Sequence, residues 1–402
     1  MENDNRVIIA GAGPVGYTAA LNLAHYGIPF TLLEAEAMIK DDPRAGTIHP
    51  PSLEMFETLG VAETMIERGY IVRNYHYRDR KTGLVANFDL GVLAEDTPFP
   101  YRLMLEQHKV SGIVHDALQK HNDFSILRQH TVKNVTQSRD TVTVEVSTPD
   151  GPKSIRGRYL IGCDGGRSQV RKCMDVDFAG FTHPERFLVV STTYNFADVG
   201  YAFTNYIADP KEWCALFKVP GWNDEGIWRV VFPTDPNLSQ EELFDDDAIE
   251  ARLQSFQAKK QPFEIVHRNL YQVHQRVASS YRDGRILVAG DAAHINNPLG
   301  GMGMNFGFHD VFSLTEKLAK IWTNEAEEDL LNLYDRQRRT VAEEYLQRQT
   351  IENKKNLENT DPAEREAFHD SLREIISDPA KARPYLRRAS MIEGIERAAS
   401  IN

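Results

Sequence analysis

Three cysteines in 402 residues, no long apolar run and no surplus of positive charge define what this chain does without. Cys163, Cys173 and Cys214 have no metal-ligand spacing, and an odd number makes a poor disulfide framework, so no metal centre is expected and a reducing, cytoplasmic setting fits best. No stretch approaches the roughly 18 uninterrupted apolar residues of a membrane span. The start is acidic, and the first apolar run extends only from Val7 to Ala10, so neither a membrane partner nor a signal peptide is expected. With 46 basic against 58 acidic side chains the formal charge is −12, and the Lys and Arg residues are scattered. Such a surface gathers no phosphate backbone, which excludes nucleic acid as a partner. What remains is an ordinary globular composition, 41% apolar and 26% charged, long enough for two or three domains.

The pattern along the chain is α/β, with α+β character in the middle. Val7–Ala10 reads as a buried strand, Gly11-Ala-Gly13-Pro14-Val15-Gly16 as a tight turn, the Ala/Leu-rich stretch to Gly27 as a helix, and Ile28 to Leu33 as a second strand ending at Glu34. Short amphipathic helices follow at Ser52–Gly60 and Gln107–Lys120. Around Phe124 to Val146 the period falls to two, which predicts a β-meander. Tyr159–Cys163 is another buried strand, stopping at Asp164-Gly165-Gly166. Between about 181 and 275, strands of aromatic and β-branched residues predict a separate antiparallel sheet. Arg285–Ala289 returns to the parallel-strand pattern, and beyond Asn305 the chain is helical. The charged helices from Glu325 onward read as a solvated or packed face, or as a homodimer surface.

Two glycine motifs carry chemistry. In the first, Gly11 permits a sharp turn, Gly13 lets a pyrophosphate approach the backbone, and Gly16 brings helix against strand, with the helix N-terminus facing the negative charge. Glu34, about 20 residues on, suits the two hydroxyls of an adenosine ribose. This predicts a dinucleotide without choosing between FAD and NAD. The second motif makes that choice: Gly290-Asp291 closes a buried strand, and Pro298-Leu-Gly300-Gly301-Met-Gly303-Met304-Asn305 opens a helix. An aspartate at a strand end can bind a polyol hydroxyl, and glycines at a helix start offer N–H groups to an anion. A flavin needs both, for its ribityl chain and for the ring edge that becomes negative on reduction.

With these motifs the chain resembles the group A flavoprotein monooxygenases, the family of p-hydroxybenzoate hydroxylase and phenol hydroxylase. The resemblance rests on Gly11-x-Gly13-x-x-Gly16, Asp164-Gly-Gly-Arg-Ser-Gln-Val-Arg171 and Gly290-Asp291 with Pro298 and the glycine loop, in family order, and spans roughly residues 1 to 345. Arg44-Ala-Gly46, Gln107 and Leu333-Tyr-Asp335 with Arg338-Arg339 extend it. It implies a Rossmann-type FAD domain (1–75, 101–180 and 276–345), an inserted substrate-binding part (76–100 and 181–275) and C-terminal helices (346–402). It implies FAD held by Gly11, Gly13, Pro14, Val15, Gly16, Glu34, Arg44 and Gln107, with Asp291 on the ribityl chain and Gly301, Gly303, Met304 and Asn305 around the pyrimidine. Pro298 would line the reactive C4a side through its carbonyl, and Asp164 and Arg171 would serve FAD and the nicotinamide together.

The implied activity is hydroxylation of a phenolic or heteroaromatic substrate with NAD(P)H and O₂ through a flavin C4a-hydroperoxide. Only one dinucleotide fingerprint is present, so the nicotinamide is expected to visit transiently, and the acidic run after Glu34 predicts NADH over NADPH. His49 is the expected base, since its loop faces the flavin in related enzymes. Tyr206 is the expected tyrosine of the substrate sheet, Tyr194 and Tyr201 being its neighbours in sequence. Gly46 stands where relatives carry a functional side chain, so the base comes from elsewhere. Two rivals stay open: another flavoprotein of this fold, halogenase or reductase, and a flavin-free NAD-dependent dehydrogenase. The Trp-x-Trp-x-x-Ile segment common in such halogenases does not occur.

Overall fold

A computed structural model describes residues 4–39, 46–222 and 225–402. The N-terminal unit forms as its pattern dictates. Val7–Ala10 is buried at every position, and Pro14 occupies the first turn of helix Pro14–His25, where its missing N–H costs nothing. Val7–Ala10 pairs in parallel with Phe30–Glu34 on one side and with Tyr159–Gly162 on the other. Ile286–Val288 and Phe124–Arg128 extend this sheet outward, and Arg282–Asp283 closes one edge. Strands buried on both faces need continuous apolar runs, and that is what these segments carry.

The meander expected over Phe124 to Val146 is divided. Phe124–Arg128 is a parallel strand of the main sheet beside Phe30–Glu34. The three-stranded antiparallel sheet starts only at Thr131, with Thr131–Gln137, Val142–Thr148 and Gly151–Gly157. A short apolar strand cannot be told by its period alone from the first arm of a meander.

An eight-stranded sheet forms the other half of the molecule. Its order is His294–Ile295, Ile265–Ala278, Phe178–Thr192, Ile227–Pro233, Cys214–Val219, Thr204–Ala208, Asn74–Asp79 and Gly83–Asp89. The expectation of a purely antiparallel sheet needs correcting: Thr204–Ala208 pairs in parallel with Asn74–Asp79. Helices Arg348–Glu358, Pro362–Ile376 and Pro379–Ala389 lay their apolar stripes on this sheet, where Leu357, Leu372 and Leu386 share a core with Tyr75, Phe88 and Phe187, and helix Ile392–Ala399 packs against Leu330–Val341 and Pro379–Ala389. The charged C-terminus therefore packs on one face and meets solvent on the other. No helix among the described residues is long and apolar enough to cross a membrane.

Candidate active site

Backbone geometry builds the first wall of the site. Gly11 has φ +97°, and a Cβ there would lie 2.5 Å from the Cys163 carbonyl oxygen. A Cβ on Gly16 would sit 1.8 Å from the Gly11 oxygen, so the helix can approach the strand only with glycine at that position. At Gly13 a Cβ would meet nothing within 4 Å, which leaves this backbone open to a ligand. Glu34 accepts the Ala12 N–H at 2.7 Å and the Glu36 N–H at 2.8 Å, which fixes its carboxylate at the edge of the loop. Val15 locks the two glycine motifs together, since a Cβ on Gly307 would come within 2.5 Å of its Cγ2.

A buried charge network holds the second motif. Asp310 accepts the Gly290 N–H at 3.0 Å, His294 Nε2 at 2.7 Å and Arg338 Nε at 2.7 Å. Burial alone would raise its pKa, but His294 and Arg338 outweigh that and hold the carboxyl at about 2. His294 is thus a fixed part of the loop. Asp291, by contrast, is exposed and lines the main cavity, a space of about 520 Å³, together with Thr47, Gln107, Pro298, Gly301, Gly303 and Met304. Helix Gly303–Trp322 begins at this cavity, and its first-turn N–H groups have no intrahelical partners. Gly301 differs from expectation: its N–H donates to the Pro298 carbonyl at 3.0 Å, so the two groups satisfy each other across the turn.

The expectation for His49 is corrected, while Asn305, Asp164 and Arg171 make side-chain contacts within the protein. The Asn305 side chain faces inward, donating to the Thr47 and Gly301 carbonyls, both at 2.7 Å, and accepting the His49 N–H at 2.9 Å; only its backbone remains for a ligand. Asp164 accepts the Gln169 and Val170 N–H groups and so caps the short helix Gln169–Cys173, while Arg171 donates to the Ala292 and Gly166 carbonyls at 2.8 and 2.9 Å. These contacts hold the loop. His49 lines neither of the two cavities described here. Its Nε2–H donates to the Gly300 carbonyl at 2.9 Å, and burial with the Arg102 cation pushes its pKa down to about 3. A general base works best with a pKa near the working pH, which this setting denies. Arg44 lies outside the described residues. Gly46 is fixed by packing, since a Cβ there would lie 1.9 Å from the Leu105 oxygen.

The opposite wall is made of side chains. Val189, Ala215, Phe217 and Val231 face the main cavity from three strands, and Arg229 and Tyr271 stand among them. Arg229 is only 4% exposed, and its charge counters the burial that raises the Tyr271 pKa. His274, whose Nδ1 pairs with Thr182 Oγ1 at 2.9 Å, is the one histidine lining this cavity among the described residues. Burial and then Arg276 and Arg167 lower its pKa from the ordinary value. Tyr206 is not here: it lines a second cavity with Tyr75 and Tyr385. Sequence reasoning passed over Arg229, Tyr271 and His274. The available signal was a lone arginine inside Ile227-Trp-Arg-Val-Val-Phe, a strand otherwise apolar.

The two walls fit an FAD. The open backbone at Gly13, the fixed Glu34 carboxylate, the cavity-lining Asp291 and the helix start at Gly303 match its pyrophosphate, ribose, ribityl chain and pyrimidine in turn. A family model described as an FAD binding domain matches residues 4–349. The chain is 33% identical over 401 residues to para-nitrophenol 4-monooxygenase of Pseudomonas sp. (strain WBC-3), covering 98% of this chain and 97% of that one. It is 31% identical over 395 residues to 6-hydroxy-3-succinoylpyridine 3-monooxygenase of Pseudomonas putida, covering 98% and 99%. The crystal structure of p-nitrophenol 4-monooxygenase from Pseudomonas putida matches with a TM-score of 0.92 at 31% identity, over 98% of this chain and 99% of that one.

Proposed function

This chain belongs to the FAD-binding-domain family, and from that premise we propose that it is an FAD-dependent monooxygenase that hydroxylates a phenolic or hydroxylated heteroaromatic ring with NAD(P)H and O₂. When bound, FAD would supply the redox chemistry, accepting reducing equivalents from the nicotinamide and activating O₂ for ring hydroxylation with water as the second product. The protein contributes placement and charge. Glu34 takes the adenosine ribose hydroxyls, the Gly13 backbone the pyrophosphate and Asp291 the ribityl chain. The N–H groups and positive end of helix Gly303–Trp322 face the pyrimidine, where negative charge gathers on reduction.

The substrate ring lies between Pro298 and the sheet, against Val189, Ala215, Phe217 and Val231, which exclude water. Arg229 carries this reading. It is a buried cation among the apolar residues Val189, Ala215, Phe217 and Val231, and it favours the ionised, electron-rich form of a ring hydroxyl. Of the two relatives named, one acts on a nitrophenol and the other on a hydroxypyridine, and both substrates carry a hydroxyl on an electron-poor ring. An acidic phenol ionises with little help, which suits a site with the Arg229 cation on its substrate wall. A halogenase, a reductase or a flavin-free dehydrogenase is not favoured by these relatives. The donor is NADH, because a 2′-phosphate wants several cationic partners and the run Ala35 to Asp42 has one Lys against three acids.

A panel of phenols and hydroxypyridines, scored for substrate-stimulated NADH oxidation by the FAD-loaded protein, tests the proposal. Stoichiometric hydroxylated product from at least one acidic phenol is expected. Oxidation of NADH at one rate with every compound, with no hydroxylated product, would overturn it.

A further inference from the structure

A second cavity, of about 220 Å³, lies on the other side of the Gly300–Met302 turn, and Met302 lines both spaces. This exceeds the roughly 150 Å³ that holds a benzene ring in an engineered protein cavity. Its walls are aromatic: Tyr75, Tyr77 and Tyr206 come from the sheet, and Phe368 and Tyr385 from the C-terminal helices. At its base stands Arg102, a cation that is 2% exposed. The guanidinium lies 4.3 Å from the Tyr75 ring centroid, and its one hydrogen bond among the described residues is a long one, Nη2 to the Ala389 carbonyl at 3.4 Å. Nε and Nη1 are buried and have no partner, and no carboxylate pairs with this arginine among the described residues.

Buried guanidinium donors are nearly always satisfied, by protein, water or ligand. Two other charged groups line the cavity. Arg388 is held by Gln349 at 2.9 Å and lies 3.8 Å from Glu393, while Glu352 sets one negative charge against the two arginines. With Arg388 set against Glu393, Arg102 is the lining cation that no carboxylate pairs with among the described residues. A fork of unused N–H donors matches a carboxylate or a phenolate oxygen, and flat aromatic walls match a ring. The Tyr75 and Tyr385 hydroxyls both lie in the field of Arg102, with Tyr206 beside them, and can complete the polar contacts of such a group.

We propose that this second cavity binds a small aromatic anion, a phenolate or a ring carboxylate, with Arg102 as its anchor. Apart from Met302 the site shares no lining residue with the main cavity, and it stands whether or not the hydroxylation reading holds. Binding here sets a ligand against Gly300 and Met302, in the same turn whose Pro298 and Gly301 border the main cavity.

Crystals of the FAD-loaded protein soaked in 4-bromobenzoate locate the bromine directly by anomalous scattering. The expected peak lies among Tyr75, Tyr206 and Tyr385, with the carboxylate on Arg102. A peak only beside Pro298 and Arg229, or only water at Arg102, overturns the proposal. Calorimetry on the FAD-loaded protein separates a working site from binding at crystal concentration only. In an Arg229→Met background, which removes the main cavity's cation, benzoate should bind, and adding Arg102→Met should weaken it by roughly tenfold or more, as expected for loss of a charged hydrogen-bond partner. Neutral benzamide should be affected much less. An unchanged benzoate affinity, an equal loss for benzamide, or no measurable benzoate binding before Arg102 is replaced counts against the site. If Arg102→Met does not fold, the bromine position in the unaltered protein still decides.

Discussion

On the cofactor side of the main cavity, the ligand-facing groups are mostly backbone: the bare Gly13, the helix start at Gly303 and the turn from Pro298 to Gly301. On the sheet side they are side chains, Arg229, Tyr271 and four apolar residues from strands far apart in sequence. A backbone wall leaves no room for added atoms at Gly11, Gly16 and Gly301 but is indifferent to the substrate. A side-chain wall folds with many residues in place yet decides what fits. The difference teaches that substitutions on the two sides should separate: one side governs whether FAD is held, the other which ring is used.

The sharpest break should come at Gly16→Ala. Its Cβ has nowhere to go, 1.8 Å from the Gly11 oxygen, so strand and helix must part. We expect FAD per chain, read from flavin absorbance, to fall nearly to zero; full occupancy would show that the turn yields more easily than its geometry states.

Arg229→Met tests the other wall. FAD content should stay at one per chain, while kcat/KM for the best phenol falls by roughly 10- to 150-fold, the worth of about 1.5–3 kcal/mol for a charged hydrogen bond. A parallel loss of FAD would join what the comparison separates. Asp291→Ala lies between the two walls, and its ribityl contact is worth about 1–3 kcal/mol, so FAD affinity should weaken by about tenfold or more. Dialysis followed by flavin fluorescence measures it, and unchanged retention would remove Asp291 from the cofactor side. For the donor, kcat/KM should favour NADH. A preference of about tenfold for NADPH, about 1.4 kcal/mol, would place a phosphate-binding cation elsewhere on the surface.

The smallest catalytic effect is expected at His49→Gln, whose amide can keep the bond to the Gly300 carbonyl. Turnover should keep the shape of its pH profile, since this ring does not act as a base. Its signature lies in stability. The folded pKa of about 3 lies below the ordinary value of 6.5, so the unfolded chain binds the proton first. The contribution is therefore complete above pH 6.5 and is lost as pH falls toward 3. Urea titrations across that window should show a shallower decline for His49→Gln than for the unaltered chain. A turnover profile that recovers at high pH only in the variant would restore His49 as the base.

The cofactor wall was largely legible in the sequence because its information is local: glycines at fixed spacing, a strand before and a helix after. The sequence did not show where side chains turn inward. Asp164 and Arg171 also hold a helix end and two carbonyls. The Asn305 side chain is a buried clamp, which its place in the glycine motif does not reveal. The substrate wall was hardly legible, because Val189, Ala215, Arg229 and Tyr271 become neighbours only through the strand order of the eight-stranded sheet. Tyr206, chosen for lying on that sheet, faces the smaller cavity because its strand lies two places beyond the strand of Arg229.

Isotope labelling tests the central claim most directly. The FAD-loaded protein is supplied with NADH, an acidic phenol that stimulates NADH oxidation, and ¹⁸O₂ in unlabelled water. The account predicts a ring hydroxyl carrying the heavy isotope, with one labelled product formed for each NADH consumed. Product oxygen drawn from water, or NADH oxidation yielding hydrogen peroxide with every phenol and no labelled ring, would contradict it.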